Sequence, residues 1–368
     1  MPPLLSGKSP AHRFALPRSL RAFRHRNYRL FFFGQLISLI GTWMQSVAQS
    51  WLVYSLAIEH PSENRTPAAM LGLIGFAGHL PVFLLAMLGG LTADRFSRHR
   101  IIVTTQVISM LLALILAALQ LSGVVEIWHV FLLATLLGIV HAFDIPARQA
   151  FVVDMVGRED IVNAVALNST MFNGARVIGP AVAGVLVATI GEGWCFLLNG
   201  LSYVAVLISL LRMEVHRHLF VPLPGALAGG VIEGFAYAWR TRPVRALLLQ
   251  LALMSLLGVP YIVLLPILTS DRFLQGGASG YGILMGAAGI GATLAALSLA
   301  MRDGIQGLGR WIVGASFGFG VGLVLFALSR SFWLSALLLV PVGYCMMLTM
   351  AASNTLVQSL VPDHLRGA

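Results

Sequence analysis

Ten apolar stretches, each long enough or nearly so to cross a bilayer as a helix, run the length of this chain. They cover approximately residues 30–54, 68–91, 101–121, 128–145, 168–190, 194–211, 246–269, 281–300, 311–328 and 332–355. Such a chain has few folds open to it. Hydrocarbon offers no water to hydrogen-bond, so each segment must satisfy its own N–H and C=O groups, as a helix does. The expected fold class is therefore an all-α polytopic membrane protein. Charged residues make up 10% of the chain, against roughly 25% in a soluble domain.

The basic residues sort the loops into two sets. Of the 24 lysines and arginines, 20 fall in the tail and in alternate loops, and three (Arg65, Arg272, Arg330) fall in the others. The last, Arg176, lies inside a span. The positive-inside rule places both termini in the cytoplasm. A net charge of +10 then needs no nucleic-acid partner, because these arginines flank spans and face anionic headgroups of the lipid bilayer. The basic tail leads straight into a span too long for a signal-peptide core, so no cleaved leader is expected. Cys195 and Cys345 form no C-x-x-C and no disulfide framework.

The polar stretch 212–245 separates six spans from four. It divides the chain into a cytoplasmic basic tail (1–29), a six-helix half (30–211), a linker (212–245) and a second half (246–368). Weak repetition crosses the linker: residues 27–29 resemble 243–245, 71–73 resemble 281–283, and 147–160 resemble 352–365. Their shared order implies two homologous six-helix halves, with ten of twelve spans present here. In the linker Val231, Phe235 and Trp239 recur every fourth residue, the spacing of an amphipathic surface helix.

The loop after the second span reads Gly90-Leu91-Thr92-Ala93-Asp94-Arg95-Phe96-Ser97-Arg98-His99-Arg100. At this point the chain resembles the major facilitator superfamily, whose signature loop G-x-x-x-D-R-x-G-R-R occupies the same place. Gly90, Asp94, Arg95 and Arg98 match, while Ser97 replaces the second glycine. The resemblance implies a gating loop that latches the halves through an eleventh helix. The alternative is a basic loop that only sets orientation. Further segments are similar to the branch holding enterobactin exporters and macrolide-efflux-type proteins. They are Asn27-Tyr28-Arg29, Gly41-Thr42-Trp43-Met44-Gln45, Asp144-Ile145-Pro146-Ala147-Arg148-Gln149 and Val361-Pro362-Asp363. This resemblance implies a monomer in the bacterial inner membrane that exports small amphipathic molecules, of drug or siderophore type, by proton antiport. An importer, or a truncated membrane protein without transport activity, are the other readings.

Span five holds Gly174, Gly179, Pro180 and Gly184, similar to the glycine-proline motif of superfamily exporters. Proline bends a helix and glycines admit a neighbour. Arg176 within it is either functional or paired with the cytoplasmic end of span four, where Asp144 and Asp154 are the candidate partners and Arg148 a further charge. No acid sits at mid-depth of any predicted span, Asp144 lying near an end, so proton coupling has no evident carrier. His79 and His141 are either relays or helix hydrogen-bonders. Gln45, Gln49, Tyr261 and Asn354 are candidate cavity-lining residues, since the family lines its cavity from spans one, four, seven and ten. Equally they are polar glue between helices. No P-loop, metal-ligand cluster or nucleophile motif occurs, so neither ATP, a metal or other cofactor, nor an enzyme activity is expected.

Overall fold

The computed structural model describes residues 18–59, 66–214, 237–258, 260–272, 277–302, 304 and 306–361. Its ten long helices are α1 (Arg26–Glu59), α2 (Pro67–Arg95), α3 (Arg98–Leu121), α4 (Ile127–Gly157), α5 (Glu159–Ile190), α6 (Glu192–Leu211), α7 (Arg242–Ser270), α8 (Gly277–Ala300), α9 (Leu308–Leu328) and α10 (Phe332–Leu360). A short 3-10 segment, Arg18–Arg24, precedes α1. The fold is all-helical, and all ten helices are long and apolar enough to span a membrane. Large apolar side chains such as Phe83, Phe317 and Trp333 point outward, the reverse of a soluble protein.

Several helices outrun their apolar stretches. α4 continues past residue 145, through Pro146, to Gly157, where a φ of 69° lets the chain turn directly into α5. α5 begins nine residues before the expected 168, and α10 runs to Leu360. Hydropathy registers only the part of a helix in hydrocarbon, whereas backbone bonding continues through the polar interface. α2 packs on this proline: a methyl on Gly89 would lie 3.3 Å from the Pro146 ring. α7 is interrupted by a π-helical turn at Met254–Gly258. There Phe319 of α9 crosses so close that a Cβ on Gly258 would collide with its ring. The amphipathic linker reading mostly lies outside the described residues; only its last turn, with Trp239, is seen as helix.

The helices form two bundles, α1–α6 and α7–α10. At the arginine-poor end one apolar core runs through both, from Val47, Leu52 and Phe196 to Leu265, Leu284 and Leu339. At the arginine-rich end each bundle has its own core. One gathers Tyr28, Phe31, Ile102 and Phe151, and the other Leu247, Leu308 and Ile312. The bundles are thus joined at one end of the membrane and separately packed at the other. The joint is made by α5 on α8, where Gly184 meets Gly282 and Gly289 meets the Arg176 carbonyl, and by Trp51 stacked on Tyr281 with ring centroids 6.4 Å apart.

Candidate functional site

A cavity of about 730 Å³ opens on the arginine-rich half of the first bundle. Its walls come from α1 (Phe31, Gln35, Ser38, Thr42), α3 (Gln106, Ser109), α4 (His141, Asp144, Arg148), α5 (Asn168, Phe172, Asn173) and α6 (Tyr203). Met347 of α10 reaches it from the second bundle. The α1 positions fall three and four residues apart, so one face of an otherwise apolar helix points inward.

Asp144 is the chemical centre. It is 2% exposed, accepts hydrogen bonds from Thr105 Oγ1 (2.7 Å) and Gln106 Nε2 (3.1 Å), and is ion-paired with Arg148 one turn along α4. It stands at the end of the apolar stretch of α4 but not at the end of the helix. α4 runs thirteen residues beyond it, and its α3 partners lie seven and eight residues inside that helix. At about 1.5 Å per residue that is roughly 10 Å from the start of α3. A buried carboxylate is costly without a partner, and here it has three. Around it Gln35 Oε1, Gln106 Oε1, Arg148 Nε and Asn173 Oδ1 are buried with no hydrogen-bond partner among the described residues. Polar atoms left this way beside a cavity are served by water or by a bound molecule.

The loop residues expected to gate are partly engaged. Arg98 bonds Asp154 Oδ1 at 2.8 Å, tying the α2–α3 turn to α4. Asp94 lies 4.0 Å from Arg98 and is largely exposed, as is Arg95. Glycines that let α2 and α4 approach are Gly89, whose added Cβ would collide with the Ala142 carbonyl, and Gly138, whose added Cβ would collide with the Gly78 carbonyl; Gly90 has open space there. In α5, Gly179 admits Trp43 of α1 and Gly184 admits Gly282, while Gly174 faces nothing within 4 Å. Pro180 supports the same joint through its carbonyl, which a Cβ on Gly282 would meet at 2.8 Å.

Arg176 does not pair with either expected carboxylate. Asp144 is taken by Arg148 and Asp154 by Arg98, and Arg176 lies over the Trp43 ring, 5.4 Å from its centroid. Among the four expected cavity residues, Gln45 is buried and accepts from Asn199 of α6 at 2.6 Å, so it joins helices. Gln49 is half-buried on α1, Asn354 is exposed near the end of α10, and Tyr261 is buried against Phe319 between the bundles. None of the four is among the cavity's lining residues. His79 Nδ1 is 2.8 Å from its own helix's Gly75 carbonyl, whereas His141 lines the cavity. Sequence reasoning missed Thr105, Gln106, Asn168, Asn173 and Tyr203. The available signal was a polar side chain in each of several spans at one distance from the arginine-rich end.

Solved structures share this architecture. A bacterial homologue of the human lysosomal transporter Spinster, in an inward-facing and occupied conformation, superposes with a TM-score of 0.67 at 16% identity, over 93% of this chain and 76% of that one. A mutant of the nucleoside transporter NupG gives 0.67 at 12% identity, over 91% and 85%. Two helical bundles sealed together at one end, with a polar cavity at the other, are the major-facilitator fold. The model of the transmembrane secretion effector family matches residues 18–368, and the chain belongs to that family. The staphyloferrin A transporter of Staphylococcus aureus is 30% identical over 304 residues, 80% of this chain and 72% of that protein. The multidrug efflux pump Tap of Mycolicibacterium fortuitum is 26% identical over 350 residues, 92% and 82%.

Proposed function

We propose that this chain exports small amphipathic molecules from a bacterial cytoplasm, with the arginine-rich end cytoplasmic and both termini on that side. The supporting observation is the cavity at that end, polar around Asp144 and Arg148 and lined elsewhere by Phe31, Phe172 and Met347. A molecule with an apolar body and a few polar groups fits such walls. Likeness to the staphyloferrin A transporter and to the multidrug efflux pump Tap supports the same class. The two bundles would rock about the α5–α8 joint, opening the cavity to each side in turn. The cavity is completed within one chain, which supports a monomeric unit.

The Asp144–Arg148 pair is the proposed coupling element. With Asp144 ionised, the carboxylate holds Arg148 and the α3 donors. A proton taken up from outside discharges Asp144 and frees Arg148 to turn toward the cavity, and release of that proton inward restores the pair. The arginine-flanked loop around Asp94, Arg95 and Arg98 is the proposed gate, since the Arg98–Asp154 bond moves only if the α2–α3 turn moves against α4.

Inverted membrane vesicles carrying the protein and an accessible fluorescent drug test this reading. Drug accumulation that collapses with the pH gradient is the expected result. Accumulation unaffected by the gradient overturns the coupling, and accumulation only in right-side-out vesicles overturns the direction.

A further inference from the structure

We propose that a groove between α3 and α4, on the outside of the first bundle, is a site for one anionic phospholipid of the leaflet at the arginine-rich end. The groove encloses about 480 Å³ and is lined on α3 by Ser97, Arg100, Thr104 and Ile108, and on α4 by Ile139 and Phe143. It is separate from the transport cavity, to which the same two helices contribute Gln106, Ser109 and His141. Ile108 and Ile139 are exposed large apolar residues, so this face meets lipid.

The polarity of the groove follows that of a phospholipid. Ser97, Arg100, Thr104 and Ile108 succeed one another three or four residues apart, which makes them one stripe down α3. Arg100 and Ile108 are about 12 Å apart along the helix. Over that distance the stripe passes from charge through hydroxyl to hydrocarbon, as the lipid passes from phosphate through glycerol ester to acyl chain. Ile139 and Phe143 stand one turn apart on α4 and give the apolar wall that an acyl chain needs.

Charge selects an anionic headgroup. α3 opens with Arg98, His99 and Arg100, three basic residues at the positive end of its own dipole, with no acid in the first turn. Arg98 is bonded to Asp154, with Asp94 4.0 Å away, and the His99 ring nitrogen lies 2.9 Å from the Leu210 carbonyl. Arg100 is exposed and has no ion-pair partner among the described residues. The Ser97 side chain makes no capping bond. A phosphate between Arg100 and Ser97 receives a charge-assisted bond, and a net negative headgroup gains where a zwitterionic one does not. Occupancy also reaches the cavity. Thr105 lines the groove and donates to Asp144 Oδ1 at 2.7 Å, so a lipid seated there holds α3 against α4 at the turn that supplies this donor.

The test adds equal amounts of phosphatidylglycerol and phosphatidylcholine to the full chain in detergent micelles and counts retained lipid by mass spectrometry of the intact complex. One phosphatidylglycerol is expected to be retained, preferred about fivefold or more over phosphatidylcholine. Arg100→Gln is expected to remove most of that preference. Arg212→Gln, at an exposed arginine ending α6 on the same side of the membrane, is expected to leave it. Ile139→Trp, which fills the groove, is expected to lower retention of both lipids. Phosphatidylglycerol should raise the melting temperature of the parent more than that of Arg100→Gln. Equal retention of the two lipids by the parent overturns the proposal. Equal losses in the two arginine variants overturn it in favour of diffuse attraction to the whole basic face. Displacement of the lipid by millimolar glycerol 3-phosphate, which has the phosphate and no chains, overturns a lipid as the occupant. Arg100 and Arg212 are both exposed, so the comparison between them stands even if Ile139→Trp does not fold.

Discussion

Adding one methyl group at Gly282 should open the transporter on its arginine-poor side. A Cβ there would lie 2.5 Å from Gly184 Cα and 2.8 Å from the Pro180 carbonyl. Relaxed carbon–carbon contacts need about 3.5 Å or more, so α5 and α8 must part by roughly 1 Å. Both neighbours are backbone atoms, so no side-chain rotation relieves the clash. Overpacking of this kind costs about 1–3 kcal/mol. The contact exists only while this end is closed, so the cost falls on the closed state. It shifts the balance toward the oppositely open state by about 5- to 150-fold. The readout is a cysteine at Ser50, next to Trp51, which stacks on Tyr281 at the joint, with Cys195 and Cys345 replaced by serine. A membrane-impermeant maleimide applied from the arginine-poor side should label Gly282→Ala much faster than the parent. Gly286→Ala is the control on the same helix, since a Cβ there has nothing within 4 Å. Equal labelling of the Gly282 and Gly286 variants would refute the reasoning.

Three further outcomes are expected. Asp144→Asn removes the counter-charge of Arg148 and should abolish gradient-driven efflux, while Asp144→Asn with Arg148→Gln should regain thermal stability lost by the single variant without regaining transport; efflux and melting curves check both. Gln45→Leu should lower stability by about 0.5–2 kcal/mol through loss of the Asn199 bond, yet leave substrate affinity unchanged, as measured by denaturation and by probe titration. Arg98→Ala should cut the transport rate more than binding, because it frees the α2–α3 turn from Asp154 without touching the cavity; initial rates against equilibrium binding distinguish the two.

The sequence by itself determined the helices and the two sets of loops. Apolar length and arginine placement are local and additive, so they survive without knowledge of packing. It also marked Gly184 and Pro180 as packing positions and Arg176 as unusual. Only the tertiary structure decided which sides of those helices meet. A span apolar all round carries no period to say which face is inward, so Gln35 and Gln45, ten residues apart on one helix, were indistinguishable until one lined a cavity and the other met Asn199. For the same reason Gly89, and not Gly90, packs at the α2–α4 contact. The length of α4 was underread because hydropathy ends where hydrocarbon ends, while α4 continues for twelve more residues beyond Ile145. The pairing of charges was the least legible feature. Asp144, Arg148, Asp154, Arg98 and Arg176 are all visible in the chain, but who pairs with whom is set by helix crossings, and those crossings leave Arg176 on Trp43 between the two bundles.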